Sequence, residues 1–551
     1  MCRSLNWATL HPFLEGGAIL GRGVANAGFL RALLKADPFA TYSFFLANQG
    51  QADKLKASLE SEFGVLAGRG AFKFALLLNL PESVQRETYH CFHLSDWISQ
   101  FTALARLRNY LAEDIFPITG VTHSLSYARY APAFLGHLWP GVTERDAIVA
   151  TSACGAAVVE RAFASARAAY GLAPEIFRAP QIRRIPLGVD DSPALAPDRE
   201  RRAAARARHG LAADDVACLV VGRISHYSKM DLIPVLRAAH RLKSNGFDLN
   251  RLQLILAGWY SDDDDTPGIL TALARGMGLE LKVVPRPDDE TRDSLYQASD
   301  IFLSPSDNVQ ETFGLTILEA GLAGLPVIAS DYDGYKDTVI HGETGLLIPT
   351  LGPASTEYTD VLAHLWYDSQ YHLRLAQQTA VSVPALAEGL AGLIADPQRR
   401  RTMGEAARRH ILAGYTWDKI VNAYLSLWED LRARPAPADD LRSLNHPLQF
   451  PFSRLFGVYT TQTLAPDLRL VWSRSGEALY RGQESPIYYA GIDSIINEWA
   501  LRKMLLKARK AASVDDLREV LREFDLAGEQ ADFHILWCLK HDFLEATGCD
   551  G

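Results

Sequence analysis

Short apolar runs, each closed by a polar or glycine-containing loop and followed by a helix-periodic stretch, recur along most of this chain. The clearest are Tyr42–Leu46, Phe72–Leu80, the run from Ile118 to His123, Asp146–Ser152, Val216–Val221, Leu252–Gly258, Ile301–Leu303 and Val327–Ala329. Apolar runs this short, bounded by turn signals, fit strands buried on both faces. Strands alternating with helices imply βαβ units and parallel sheets, with right-handed crossovers. The expected class is therefore α/β.

The stretch from Asp300 to Pro349 is the richest in chemistry. Strand Ile301–Leu303 runs into a polar loop, Ser304–Gln310, and the spacing of Leu315, Ile317, Leu318 and Leu322 predicts a helix from about Phe313. Gly324-Leu325-Pro326 ends that helix before the next strand. Ligands of such units sit at strand carboxyl ends and helix N-termini, where free N–H groups attract phosphate. Glu311 stands just before this N-terminus, and Glu319 follows about two turns later, so both carboxylates can face one crevice.

Three further places offer candidates. Val216–Val221 ends in Gly222-Arg223, and Lys229 follows in the loop before a helix from Asp231. Near the N-terminus, Gly16, Gly17, Gly21 and Gly23 precede a helix expected from about Val24. Glycines there let a ligand approach the backbone, but the spacing is not the dinucleotide G-x-G-x-x-G. Finally, the run from Ile118 ends at His123, whose ring offers a hydrogen bond and a charge that titrates near neutrality. His93 is read as a structural histidine.

The motif Glu311-x7-Glu319, within ETFGLTILEAGLAGLPVIAS, resembles the signature of retaining family 4 glycosyltransferases of the GT-B fold. The resemblance spans about residue 10 to about residue 431. It implies two Rossmann-like domains facing a cleft: 1–190, with 415–431 crossing back onto it, and 191–414. It places Glu311 and His123 beside the transferred sugar, as the catalytic candidates. Arg223, Lys229, Glu319, Gly17 and the run Thr312, Phe313, Gly314, Leu315 would bind the donor. Arg22 is a weaker candidate beside Gly17. Arg223 and Lys229 would clamp the diphosphate, where charge grows as the leaving group departs. The family often has Lys-Gly where this chain has Lys229-Met230, so the local turn should differ.

The implied activity is transfer of a sugar from a nucleotide-sugar to a glycan, lipid-linked or protein acceptor, with retention of configuration. No cofactor and no metal are implied. The run Asp262 to Asp265 has four consecutive acids whose side chains alternate in direction, so it is read as a solvated loop. The rival reading is a non-catalytic nucleotide-sugar sensor or scaffold, which would have no need of Glu311. A GT-B phosphorylase or epimerase is a second rival. The pyridoxal-phosphate-dependent phosphorylases of this fold require a Schiff-base lysine, for which no motif is found.

Composition narrows the picture further. With 551 residues, two or three domains are expected. A net charge of −9 argues against a duplex nucleic-acid partner. The six cysteines are scattered and fit reduced thiols of a cytoplasmic protein. No apolar run approaches the roughly 18 residues of a membrane span, and no signal peptide is seen at the N-terminus. The expected location is the cytoplasm, with contact at the inner face of a membrane left open. Residues 432–450 read as a Pro/Ala/Asp linker, and 451–551 as a small α+β or mostly helical accessory domain. In that domain Leu468–Trp472 and Ala478–Tyr480 are expected to pair as a hairpin, with helices over 495–509, 514–524 and 529–544. From Asp440 onward 13 Lys and Arg stand against 16 Asp and Glu, a balance that favours partner docking or self-association over DNA.

Overall fold

The apolar runs fold into two all-parallel sheets. The computed structural model describes residues 5–14, 21–436, 438–489, 491–492 and 495–547, in two compact units, Met1–Leu448 and Gln449–Gly551. In the larger unit the first sheet has seven strands: β1 Asn6–Thr9, β2 Thr41–Leu46, β3 Phe72–Leu76, β4 Cys91–Leu94, β5 Ile118–Val121, β6 Asp146–Ala150 and β7 Gln181–Arg184. Their order is β3-β2-β1-β4-β5-β6-β7. The second sheet has six: β8 Val216–Val221, β9 Leu252–Gly258, β10 Leu281–Pro285, β11 Ile301–Ser304, β12 Val327–Ser330 and β13 Gly345–Ile348, in the order β10-β9-β8-β11-β12-β13. Every pairing in both sheets is parallel. In each the chain winds outward one way and then reverses, so a crevice opens between β1 and β4 and another between β8 and β11.

Helices cover both faces of each sheet, and the cores lie between. In the first half Arg108 and Asp146 form a fully buried two-bond pair, Nη1 to Oδ1 at 2.5 Å and Nη2 to Oδ2 at 3.0 Å. The remaining lone pairs of Asp146 accept from Thr143, so the buried charge is compensated by hydrogen bonds.

The helix Trp417–Ala433 packs on the first sheet. Ile420, Val421, Tyr424, Leu427, Trp428 and Leu431 join the core of the first sheet beside Trp7 and Phe29. The start of the helix is held by Val189 N–H donating to Tyr415 O and Trp417 N–H donating to Val189 O. Trp417 lies against two glycines that leave it room: a Cβ on Gly28 or Gly188 would come within 2.6 or 2.4 Å of its ring. The stretch read as a linker, 432–450, instead carries the end of this helix and a helical turn, Ala438–Arg442. Beyond that turn His446 Nε2 bonds the Gly136 carbonyl, so the segment up to Leu448 belongs to the larger unit.

Strand β3 is shorter than expected. After Leu76 the chain turns through a 3-10 helix, Leu77–Asn79, into the helix Leu80–Arg86, with Pro81 in its first turn, where proline's missing N–H is no loss. The helix expected from Phe313 starts at Leu315. Between β13 and the helix Val383–Ala395 a short antiparallel pair, β14 Thr350–Leu351 with β15 Ala380–Val381, closes the base of a helical excursion.

The smaller unit is α+β. Strand β16 Arg469–Trp472 is flanked antiparallel by β17 Ala512–Ser513 and β18 Leu544–Ala546. Helices Glu498–Lys507, Val514–Arg522 and Glu529–Lys540 fall within the expected spans. The expected hairpin is absent: Arg474–Tyr480 is a helix capped by Ser473, and β16 pairs instead with strands distant in sequence. Among the described residues no helix is long and apolar enough to cross a membrane.

Candidate active site

Strands β8 and β11 are neighbours at the reversal point of the second sheet, and the loops leaving their carboxyl ends carry Arg223, Lys229 and Glu311. The β8 loop begins with a close backbone approach. A Cβ on Gly258 would sit 1.6 Å from the Gly222 carbonyl, so only glycine lets the ends of β8 and β9 meet there. Arg223 then donates from Nη2 to Ser228 O at 3.1 Å, which ties the loop to its own start. Lys229 and Met230 both donate N–H bonds to Ser225 O, and Met230 inserts into the core. That burial accounts for a methionine where the family often has glycine.

The β11 loop delivers Glu311 to this cation. Lys229 Nζ bonds Glu311 Oε2 directly, and both side chains are largely buried, 15% and 11% exposed. Tyr335 OH donates to the same oxygen at 3.2 Å and meets Ser304 Oγ at 2.8 Å, while Phe313 N–H reaches Oε1 at 3.4 Å. Burial alone would raise the Glu311 carboxyl. The Lys229 charge and these hydrogen bonds overcome it and hold the group below its ordinary value, so it is a carboxylate at neutral pH. Gly314 at φ +98° and Gly334 make the support compact. A Cβ on Gly314 would strike the Tyr335 ring at 2.4 Å, and one on Gly334 would strike the Thr312 carbonyl at 2.4 Å.

Glu319 lies on the helix Leu315–Leu322 and accepts from Tyr296 OH at 2.8 Å. Burial raises its carboxyl, with Arg292 and the Tyr296 bond opposing. Of the run beside Glu311, the Phe313 side chain is buried in the core near Tyr415, so its backbone is what a ligand could reach. Thr312 and Leu315 are half-buried, and Gly314 caps the helix.

Two further carboxylates were not picked out from the sequence. Burial pushes both Asp307 and Asp333 up to about 8, and the neighbouring Glu311 charge adds to the effect at Asp333. Asp307 accepts from the Asp231 N–H at 3.3 Å. Asp333 lies in the loop after β12. Tyr335 of the same loop is buried and supports Glu311.

On the first sheet, His123 follows β5, and its Nε2 bonds Ser95 O at 2.8 Å. A carbonyl only accepts, so the proton is on Nε2. His93 is buried against Phe29 and Tyr424, with Nδ1 2.9 Å from Thr119 Oγ1, and is structural. Gly17 and Gly16 lie outside the described residues; Arg22 is in the first turn of the helix Gly21–Ala36, exposed. In the acidic run Asp262 pairs with Arg286, and Asp264 accepts from the Thr266 N–H and hydroxyl.

The profile of Glycosyl transferases group 1 matches residues 201–382, which contain Arg223, Lys229, Glu311 and Glu319. Residues 201–382 form a glycosyl transferases group 1 domain. Among curated relatives the chain is 32% identical over 269 residues to a D-inositol 3-phosphate glycosyltransferase of Geodermatophilus obscurus, covering 47% of this chain and 51% of that protein. It is 31% identical over 277 residues to D-inositol 3-phosphate glycosyltransferase 1 of Catenulispora acidiphila, covering 49% and 56%. The chain thus spans about half the length of the curated relatives it matches. Among solved structures it is similar to sucrose-phosphate synthase of Thermosynechococcus elongatus, with a TM-score of 0.51 at 20% identity, over 78% of this chain and 99% of that one. It is also similar to Anabaena HepE in complex with UDP, with a TM-score of 0.52 at 15% identity, over 78% and 100%. The two-sheet unit has the GT-B fold.

Proposed function

We propose that the chain is a retaining glycosyltransferase that moves a hexose-type sugar from a nucleotide-sugar to an acceptor without a metal ion. The observation that carries this reading is the Lys229–Glu311 contact at the reversal point of the second sheet. A donor diphosphate entering there takes the Lys229 ammonium from Glu311, and Arg223 supplies a second fixed cation. As the glycosidic bond to phosphate breaks, negative charge grows on the leaving oxygen, and preorganised cations stabilise it. Glu311, released from Lys229, faces the sugar as a carboxylate; Glu319 holds the ribose. His123 presents its ring to the sugar from the first domain. The acceptor hydroxyl attacks the face from which the nucleotide departs.

The names of the curated relatives support a sugar-transfer activity, and the UDP bound to HepE makes UDP-sugars the first donors to try. The acceptor belongs to the glycan, lipid-linked or protein classes. We place the protein in the cytoplasm, with peripheral membrane contact compatible with the reading. We assign Gln449–Gly551 to partner docking or self-association.

The test is a nucleotide-release assay over a panel of nucleotide-sugars and acceptors, run with and without EDTA. Release that depends on one donor and is unchanged by EDTA is expected. Activity lost to EDTA and restored by Mg²⁺ or Mn²⁺ would overturn the metal-independent reading, and would return the Asp262–Asp265 run to consideration.

A further inference from the structure

The excursion between β14 and β15, residues 352–379, consists of two helices, Glu357–Ala363 and Asp368–Ala376, on a base zipped by Thr350↔Val381 and Leu351↔Ala380. A doubly wound half-domain does not need it, because β13 could pass directly to the helix Val383–Ala395. Its second helix nonetheless holds two of the better buried polar side chains in the region: Tyr371, 2% exposed, and His372, fully buried.

Both reach the loop that follows β5. Tyr371 OH accepts from Ala128 N–H at 2.9 Å and lies 2.9 Å from Ser126 O and 2.8 Å from Asp368 Oδ1. His372 Nε2 lies 3.2 Å from the same Ser126 carbonyl, so that nitrogen carries the proton. Its Nδ1 is then a lone pair, and the Gln310 side-chain amide donates to it. The circuit closes because Ser124 Oγ donates to Gln310 O at 3.1 Å. The Tyr127 ring packs edge-on against His372, and Arg129 lies over Tyr127. At the far end of the helix, Gln377 Nε2 donates to Asp231 Oδ2, just past Lys229.

Several of these bonds adjoin candidate site residues, and those of Tyr371 fall on the loop a few residues past His123. Ser124 follows His123, Gln310 precedes Glu311, and Asp231 lies two residues beyond Lys229. We infer that residues 352–379 form a strap across the two half-domains, in which Tyr371 and His372 are positioning residues that set the Glu311 loop against the His123 loop. The two catalytic candidates come from different sheets, so no single sheet fixes their separation. The strap does so through one hydrogen-bonded circuit. Misplacing a reacting group by about 1 Å can cost on the order of 10²-fold in rate.

This inference rests on the transfer reading above, and its test separates the two. Tyr371→Phe, His372→Ala and His372→Gln are made in the full chain, with UDP as the probe nucleotide. Expected in Tyr371→Phe and His372→Ala is a kcat lowered by about tenfold, with the Kd for UDP by calorimetry changed less than about twofold. Glutamine at 372 supplies both an acceptor and a donor, so His372→Gln should recover part of the loss. Hydrogen exchange of the unmutated chain and the variants gives a readout that needs no turnover. Amides of 124–130 and of 304–314 should exchange faster together in Tyr371→Phe and His372→Ala. Unchanged protection at either loop overturns the strap, as does a kcat equal to that of the unmutated chain. A UDP affinity that falls in step with kcat overturns it too, since that is the mark of general loosening. If the unmutated chain releases no nucleotide from any donor, the transfer reading fails, and the exchange result alone decides the strap.

Discussion

Glu311→Gln is expected to lower kcat by roughly 10²- to 10³-fold, the range seen when one preorganised electrostatic group is removed. Donor affinity should hold or tighten. Lys229 pairs with Glu311, and a neutral amide competes less well than a carboxylate for the ammonium. The incoming diphosphate therefore has less to displace. Folding should survive, because the Gln carbonyl can still accept from Tyr335 OH. A loss in kcat without loss in Kd is the signature of a group acting on the transition state. Glu319→Ala should show the opposite split, weakening nucleotide binding most. Calorimetry paired with turnover reads both. Normal turnover in Glu311→Gln would remove its catalytic role. A sensor would bind nucleotide-sugar yet give no turnover even unmutated.

Arg223→Ala and Lys229→Ala should each lower kcat/KM by about 10²-fold or more, and Lys229→Ala should cost more because it acts twice. It removes a phosphate cation, and it leaves Glu311 buried without its counter-charge. Burial would then be less opposed and would raise the Glu311 carboxyl, where Lys229 now holds it down. The sign of the pH effect follows. If Glu311 works as a carboxylate, residual activity of Lys229→Ala should climb with pH as the group ionises. Arg223 bonds the Ser228 carbonyl rather than Glu311, so Arg223→Ala should lose rate with little change in the shape of the profile. Near-normal kcat/KM in both variants with a verified donor would undo the clamp.

The parts of this site legible in the sequence are local. Glu311 lies in the loop that leads into the helix carrying Glu319, and Arg223 with Lys229 share one loop after an apolar strand, so spacing alone places each pair. The contact between the two loops is not local, and only the neighbouring of β8 and β11 creates it. The support that Tyr335 gives Glu311 depends on two glycines that allow close approach. The strap offers no motif at all; its Tyr371 and His372 acquire meaning from partners more than 60 residues away. The missing hairpin has a physical reason too. Gly476 and Leu479, three residues apart, are both buried, and Ser473 caps a helix, so the short apolar run after β16 has helical rather than alternating period.

The most direct test of sugar transfer with retention is proton NMR of the transferred sugar's anomeric position. It would be recorded early in a reaction of the unmutated chain with the donor and acceptor found in the release screen. The account predicts a new glycosidic signal on the acceptor with the anomeric configuration of the donor, growing in step with free nucleoside diphosphate. A product of inverted configuration, or nucleotide released with no sugar joined to any acceptor, would contradict it.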